Sequence, residues 1–184
     1  MCWNFNGSVA NESTLKPLCE EVDRYFNLPA HSYYRYFAVP NNGIDDRYLA
    51  EKAGQYYRGL RVPASGTDPV CLYLTSSCLP PGADYENLLF IRHSTCLDPA
   101  GCTITYAHEI EHMVQEQRFP KLLTINSILR RDLWQFKQNP NELDLPVEAD
   151  ANIVSKRVAE IVCGADAVRK FGEEQLREMM TAGR

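Results

Sequence analysis

Apolar residues recur along this chain at three- and four-residue steps in some stretches and as short aromatic or β-branched runs in others. The two patterns divide it into elements. Leu15, Leu18, Cys19, Val22, Tyr25 and Phe26 keep helical spacing, which predicts an amphipathic helix over 12–27 ending near Asn27-Leu28-Pro29. The run HSYYRYFAV from His31 to Val39, VCLYLTS from Val70 and NLLFIRH from Asn87 suit strands. Ile44 to Gly59 reads as a helix capped by Asp45, and the Pro- and Gly-bearing stretches Arg61–Gly66 and Leu79–Gly82 read as loops. Asp98-Pro99-Ala100-Gly101 is a turn cluster, after which no Gly or Pro interrupts Cys102 to Phe119. Ile104, Ala107, Ile110, Met113 and Val114 form an apolar stripe there, and Pro120 ends a helix of roughly 15 residues. A helix over 121–137 follows, then the polar connector Gln138-Asn139-Pro140-Asn141. Another helix runs through Ile153, Val154, Val158, Ile161 and Val162 to a stop at Gly164, and a last one spans about 166–180. Helices around a mixed three-stranded sheet give an α+β plan, with a small mixed β-sheet packed on helices. No internal repeat or low-complexity tract interrupts it.

The helix after the turn cluster carries the chemistry. His108-Glu109-Ile110-Glu111-His112 places two imidazoles four residues apart, about 40° around the axis and about 6 Å along it. At that spacing both can reach one ion at about 2.0–2.1 Å, a geometry suited to Zn2+. Glu109 projects from the same turn and is placed to act as a general base on an activated water. With four His and 14 Glu in 184 residues, about 0.006 chance matches are expected. The mount also suits the purpose, because middle turns of a packed helix hold side-chain rotamers.

A catalytic zinc commonly has three protein ligands and one open position. The stretch Asp144-Leu145-Pro146-Val147-Glu148-Ala149-Asp150-Ala151-Asn152 reads as a helix start, with Asp144 as cap, Pro146 in the first turn and acidic residues at the positive end of the dipole. Glu148 lies 36 residues after His112, far enough for the chain to return antiparallel. It serves either the helix dipole alone or a metal. Asp150 sits about 200° around the helix from Glu148, so both cannot face one ion.

These motifs resemble the zincin metallopeptidases, and among them the gluzincins, whose third ligand is a glutamate on a later helix. Glu148-Ala149-Asp150-Ala151-Asn152 is similar to the Glu-x-x-Ala-Asn/Asp pattern of minimal gluzincins, including the ImmA/IrrE-type peptidases. The resemblance covers two helices, roughly a quarter of the chain. It implies a single zincin-like metallopeptidase domain over 1–184, with His108, His112 and Glu148 as zinc ligands and Glu109 as base. It implies Asn152 as a group orienting a ligand, and a strand at Leu88–His93 that offers its edge to an extended peptide. Glu111 departs from the family, which usually has an uncharged residue before the second histidine. Its carboxylate is solvated, pairs with Arg118 or Arg130, or marks a more exposed helix. The longer metzincin motif is absent.

Length and composition fit a small soluble enzyme, and the resemblance implies a peptide or protein as its substrate. A formal charge of −5 and a pI near 5.4 give no footprint for nucleic acid or an anionic membrane. Arg130-Arg131, the one basic pair that stands out, is expected on a solvated face. No apolar run approaches the roughly 20 residues that span a bilayer, and the first residues lack a secretory signal, so a cytoplasmic location is expected. Seven cysteines include Cys19 and Cys163 on apolar helix faces and the group Cys71, Cys78, Cys96 and Cys102, whose spacings are not those of a zinc knuckle. Reduced thiols are the expectation.

Two functions follow. One is a zinc-dependent peptidase, with Tyr106, Tyr85 and His93 as nearby candidates for stabilising the oxyanion. The other is a zincin-type regulatory or binding protein that keeps the metal with little or no general proteolytic activity. The presence of Glu109 favours the first, because a structural site does not need it.

Overall fold

In a computed structural model, residues 2–5, 12–28, 33–38, 71–74, 87–92, 97–136 and 145–182 are described. They form, in chain order, β1 (Cys2–Phe5), α1 (Glu12–Tyr25), β2 (Tyr33–Ala38), β3 (Cys71–Leu74), β4 (Asn87–Arg92), α2 (Pro99–Arg118), α3 (Leu122–Phe136), α4 (Pro146–Cys163) and α5 (Ala165–Ala182). The expected helix at Ile44–Gly59, the two expected loops, the connector 138–141, Asp144, Tyr85, His93, Cys78 and Cys96 lie outside the described residues.

The α+β expectation, a small mixed β-sheet packed on active-site helices, is corrected: the body of the molecule is all-helical. The physical reason lies in where burial occurs. Among the residues whose burial is described, the core is Leu15, Cys19 and Val22 of α1, Cys102, Tyr106, Ala107, Ile110 and Met113 of α2, and Val158 of α4, joined by Leu89 and Ile91 of β4. The aromatic and β-branched runs form strands of four to six residues beside this helical body. Their order is β1-β2-β4-β3, with β3 antiparallel to β4 and the other pairs parallel. In that order β4 is flanked on both sides, so it has no free edge for a peptide, contrary to the expectation for Leu88–His93.

The centre of the body is α2, buried on most of its circumference from Ala100 to Gln115. It starts earlier than the turn-like sequence suggests. Asp98 caps it, its carboxylate accepting from the Gly101 N–H at 2.8 Å, and Pro99 occupies the first helical position. Gly101 is thus inside the helix, where a Cβ would stand 2.7 Å from the Phe171 ring of α5. That missing methyl lets α5 lie close over the first turn. At the other end the Phe119 N–H closes the last turn on Gln115, and Pro120 stops it.

Neighbouring helices are held by a few specific devices. α1 ends in a Schellman motif: Asn27 takes a left-handed φ of 53°, and the Leu28 N–H reaches back to Asp23. Tyr106, fully buried, donates its hydroxyl to the buried Asp23 carboxylate at 2.6 Å, tying α2 to α1. Cys19 and Cys102 are buried thiols outside any disulfide, and half-buried Cys163 donates to Thr103 at 3.2 Å. α4 begins with Pro146 in its first turn as expected, but its N-cap is Leu145, not Asp144, and no side chain caps it. Gly164, at a φ of 91°, ends α4 and turns the chain into α5. No described helix is long and apolar enough to cross a membrane.

The Tyr106 contact generates a prediction. Tyr106→Phe should lower stability by about 1.5–3 kcal/mol, because a charged acceptor loses a donor in the core. Denaturant unfolding measures it, and metal content and any hydrolytic rate per folded molecule should be unchanged.

Candidate metal centre

His108 and His112 stand one turn apart on α2, and their rings meet edge to face with centroids 4.7 Å apart. Their Nε2 atoms are 3.1 Å from each other. Glu148, in the first turn of α4, brings Oε2 to 3.1 Å from His112 Nε2 and 3.4 Å from His108 Nε2. An ion about 2.0–2.1 Å from each corner of a tetrahedron holds neighbouring ligand atoms about 3.3 Å apart. The three observed separations bracket that value. The group His108, His112 and Glu148 can therefore hold a metal ion, and no other cluster of this kind occurs among the described residues. Exposure is graded across it, with the His108 side chain at 23%, His112 at 11% and Glu148 at 9%. Access is from the His108 side.

Supporting groups come from three helices. Glu148 uses its second oxygen elsewhere: Oε1 accepts from Arg130 at 2.6 Å and from Asn126 at 3.3 Å, both on α3. One carboxylate oxygen is thereby committed to α3 and the other to the histidines. Asn126 is buried, and its Oδ1 has no partner among the described residues. On the opposite side, His112 Nδ1 is 3.0 Å from Gln115 Oε1. Gln115 Nε2 donates to Asp150 at 2.8 Å and to the Val147 carbonyl at 3.3 Å, joining α2 to α4.

The charges follow from this packing. Burial opposes ionisation of Glu148, but the hydrogen bonds from both histidines and the Arg130 guanidinium hold its carboxyl well below the usual carboxylate range. Burial alone would push the His112 imidazole down. The Glu148 hydrogen bond, the Glu109 and Glu148 charges and Gln115 outweigh it and raise the pKa above its ordinary 6.5. Glu111 is buried, not solvated: burial pushes its carboxyl up, Asp150 adds to this, and Arg118 and His112 oppose it.

Several expectations need adjustment. Arg130-Arg131 is not a uniform solvated face, since Arg131 meets Asp132 in solvent while Arg130 reaches in to Glu148. Asn152 makes no side-chain hydrogen bond among the described residues; its carbonyl accepts from Ser155 at 3.1 Å. Gln115 and the Asn126–Arg130 pair hold the site instead. Asp150 points to Gln115 and not to the histidines, as its angular offset from Glu148 requires. Tyr106 is spent on Asp23 in the core and is not an oxyanion donor. One signal for Gln115 was present, its place three residues after His112 on the same face. The α3 contacts had no such signal, because they depend on how α3 packs. Comparison with family models, curated proteins and solved structures finds no match for the chain.

Two pH effects of opposite sense follow. In the metal-free protein the Glu148 carboxyl is depressed, so its contribution is present above its ordinary 4.5 and lost as pH falls through the lowered value. His112 is raised, so its contribution is present below 6.5 and lost as pH rises through the raised value. The stability difference between wild type and Glu148→Gln should therefore be largest between about pH 4.5 and 6.5, read from thermal melts in chelator. Metal loading displaces the His112 proton, so apparent affinity should fall by about tenfold per pH unit below its raised pKa. Competition titrations with a chromophoric chelator measure this.

Proposed function

We propose that this protein is a zinc-dependent peptidase with a gluzincin-type ligand set, His108, His112 and Glu148, and Glu109 as general base. The observation that carries the reading is the triangle of donor atoms at 3.1, 3.1 and 3.4 Å, matched to one tetrahedral ion. Two imidazoles and one carboxylate, with no thiolate, are the donor set that suits a hydrolytic zinc. Bound there, zinc would polarise a scissile carbonyl and lower the pKa of a water.

The chain's own groups do the rest. Glu109 lies one residue from His108, close enough to His112 for its charge to raise that imidazole's pKa. It accepts a proton from the attacking water as the water oxygen bonds to the carbonyl carbon. It returns that proton to the amine nitrogen as the carbon–nitrogen bond breaks. Glu148, anchored by Arg130, keeps one oxygen aimed at the histidines throughout. His108, the most exposed of the three ligands, is the side from which a substrate would approach. The chain's net charge of −5 favours peptide over nucleic acid as substrate.

Glu109→Gln is the test. The variant should bind zinc in the wild-type ratio and lose about 10²–10⁴-fold of the cleavage rate on an unstructured protein substrate. Full metal uptake with no difference in turnover would contradict catalysis by Glu109 and leave a metal-binding regulatory protein.

A further inference from the structure

The hydrogen-bond polarity of Gln115 is fixed by its partners. Its Nε2 faces the Asp150 carboxylate and the Val147 carbonyl, which only accept. The amide is therefore oriented with Oε1 toward His112 Nδ1, 3.0 Å away, and that nitrogen must be the donor. A neutral imidazole with its proton on Nδ1 has its lone pair on Nε2, the atom that faces His108 and Glu148. The same amide bridges α2 to the first turn of α4, one residue before and two residues after Glu148. One side chain thus determines both the tautomer of one ligand and the placement of the helix bearing another.

We propose that Gln115 is the positioning residue of the metal centre, acting in an Asp150–Gln115–His112 relay that presents Nε2 and Glu148 Oε2 ready-aimed at one ion. This rests on the metal reading above, but it replaces the role that the resemblance implies for Asn152. The relay differs from a carboxylate placed directly on the imidazole. The Asp150 charge is passed on through an amide, so the ligand gains orientation and modest basicity without a second anion against the ring.

The relay can be reversed by design. Gln115→Leu removes both functions and should weaken zinc binding about 10–100-fold. In the metal-free variant, the imidazole ¹⁵N shifts of His112, read above its titration, should move from the Nδ1–H pattern toward a mixture with Nε2–H. Gln115→Glu keeps an acceptor for Nδ1–H but sets a carboxylate against Asp150, so it should also lose affinity. Asp150→Asn retains an acceptor for the amide and should stay within a few-fold of wild type. In the double variant Gln115→Glu/Asp150→Asn, amide and carboxylate have exchanged places, and affinity should return to within a few-fold of wild type. Losses that simply add in the double variant would overturn the proposal. So would a Gln115→Leu protein with wild-type affinity and an unchanged tautomer. If wild type takes up no zinc, the peptidase reading fails, while the ¹⁵N comparison in metal-free protein still decides what Gln115 does.

Discussion

Two imidazole nitrogens and a carboxylate oxygen held between 3.1 and 3.4 Å apart repel one another unless positive charge stands among them. That constraint organises the rest of the structure. In the metal-free protein the Glu148 hydrogen bond and the Glu109 and Glu148 charges favour the protonated form of His112, which is why burial fails to depress its pKa. Arg130 supplies positive charge from behind Glu148. Neither can satisfy all three lone pairs at once, whereas a single divalent ion can. The same attraction that keeps the apo site together is thus what a metal must displace, and the trade gives affinity its dependence on pH.

Holding such a cluster requires a rigid mount, and α2 provides it by being buried almost all round. Asp98 fixes its start, Phe171 lies over Gly101 at its first turn, and Tyr106 locks it to α1 through Asp23. The ligands therefore sit on a buried, well-anchored helix, with α4 clamped alongside by Gln115 and α3 reaching Glu148 through Asn126 and Arg130. Among the described residues, the site is built at the meeting of three helices.

The ligand candidates were legible because they depend on local geometry. Four-residue spacing puts His108 and His112 on one face whatever surrounds the helix, and Pro146 marks where α4 starts and Glu148 enters its first turn. What was misread depends on packing. The run HSYYRYFAV does form a strand, β2, but strand composition does not say whether a sheet or the helices carry the core. Asp98-Pro99-Ala100-Gly101 looks like a turn, and the same residues are a cap, a helix-starting proline and a contact glycine. Arg130 and Asn126 lie 18 and 22 residues from Glu148, and nothing local foretells that they meet it. Asn152 was favoured by its four-residue offset from Glu148, yet the hydrogen bonds run through Gln115, whose partners lie on another helix.

The central claim is that two imidazoles and one carboxylate on α2 and α4 bind a single zinc. X-ray absorption at the zinc edge of the loaded protein tests it most directly, because the first shell reveals both ligand type and distance. Only nitrogen and oxygen scatterers are expected at about 2.0–2.2 Å, with the outer-shell pattern of two imidazoles. A sulfur shell at about 2.3 Å would place the metal on the cysteines instead and contradict the account.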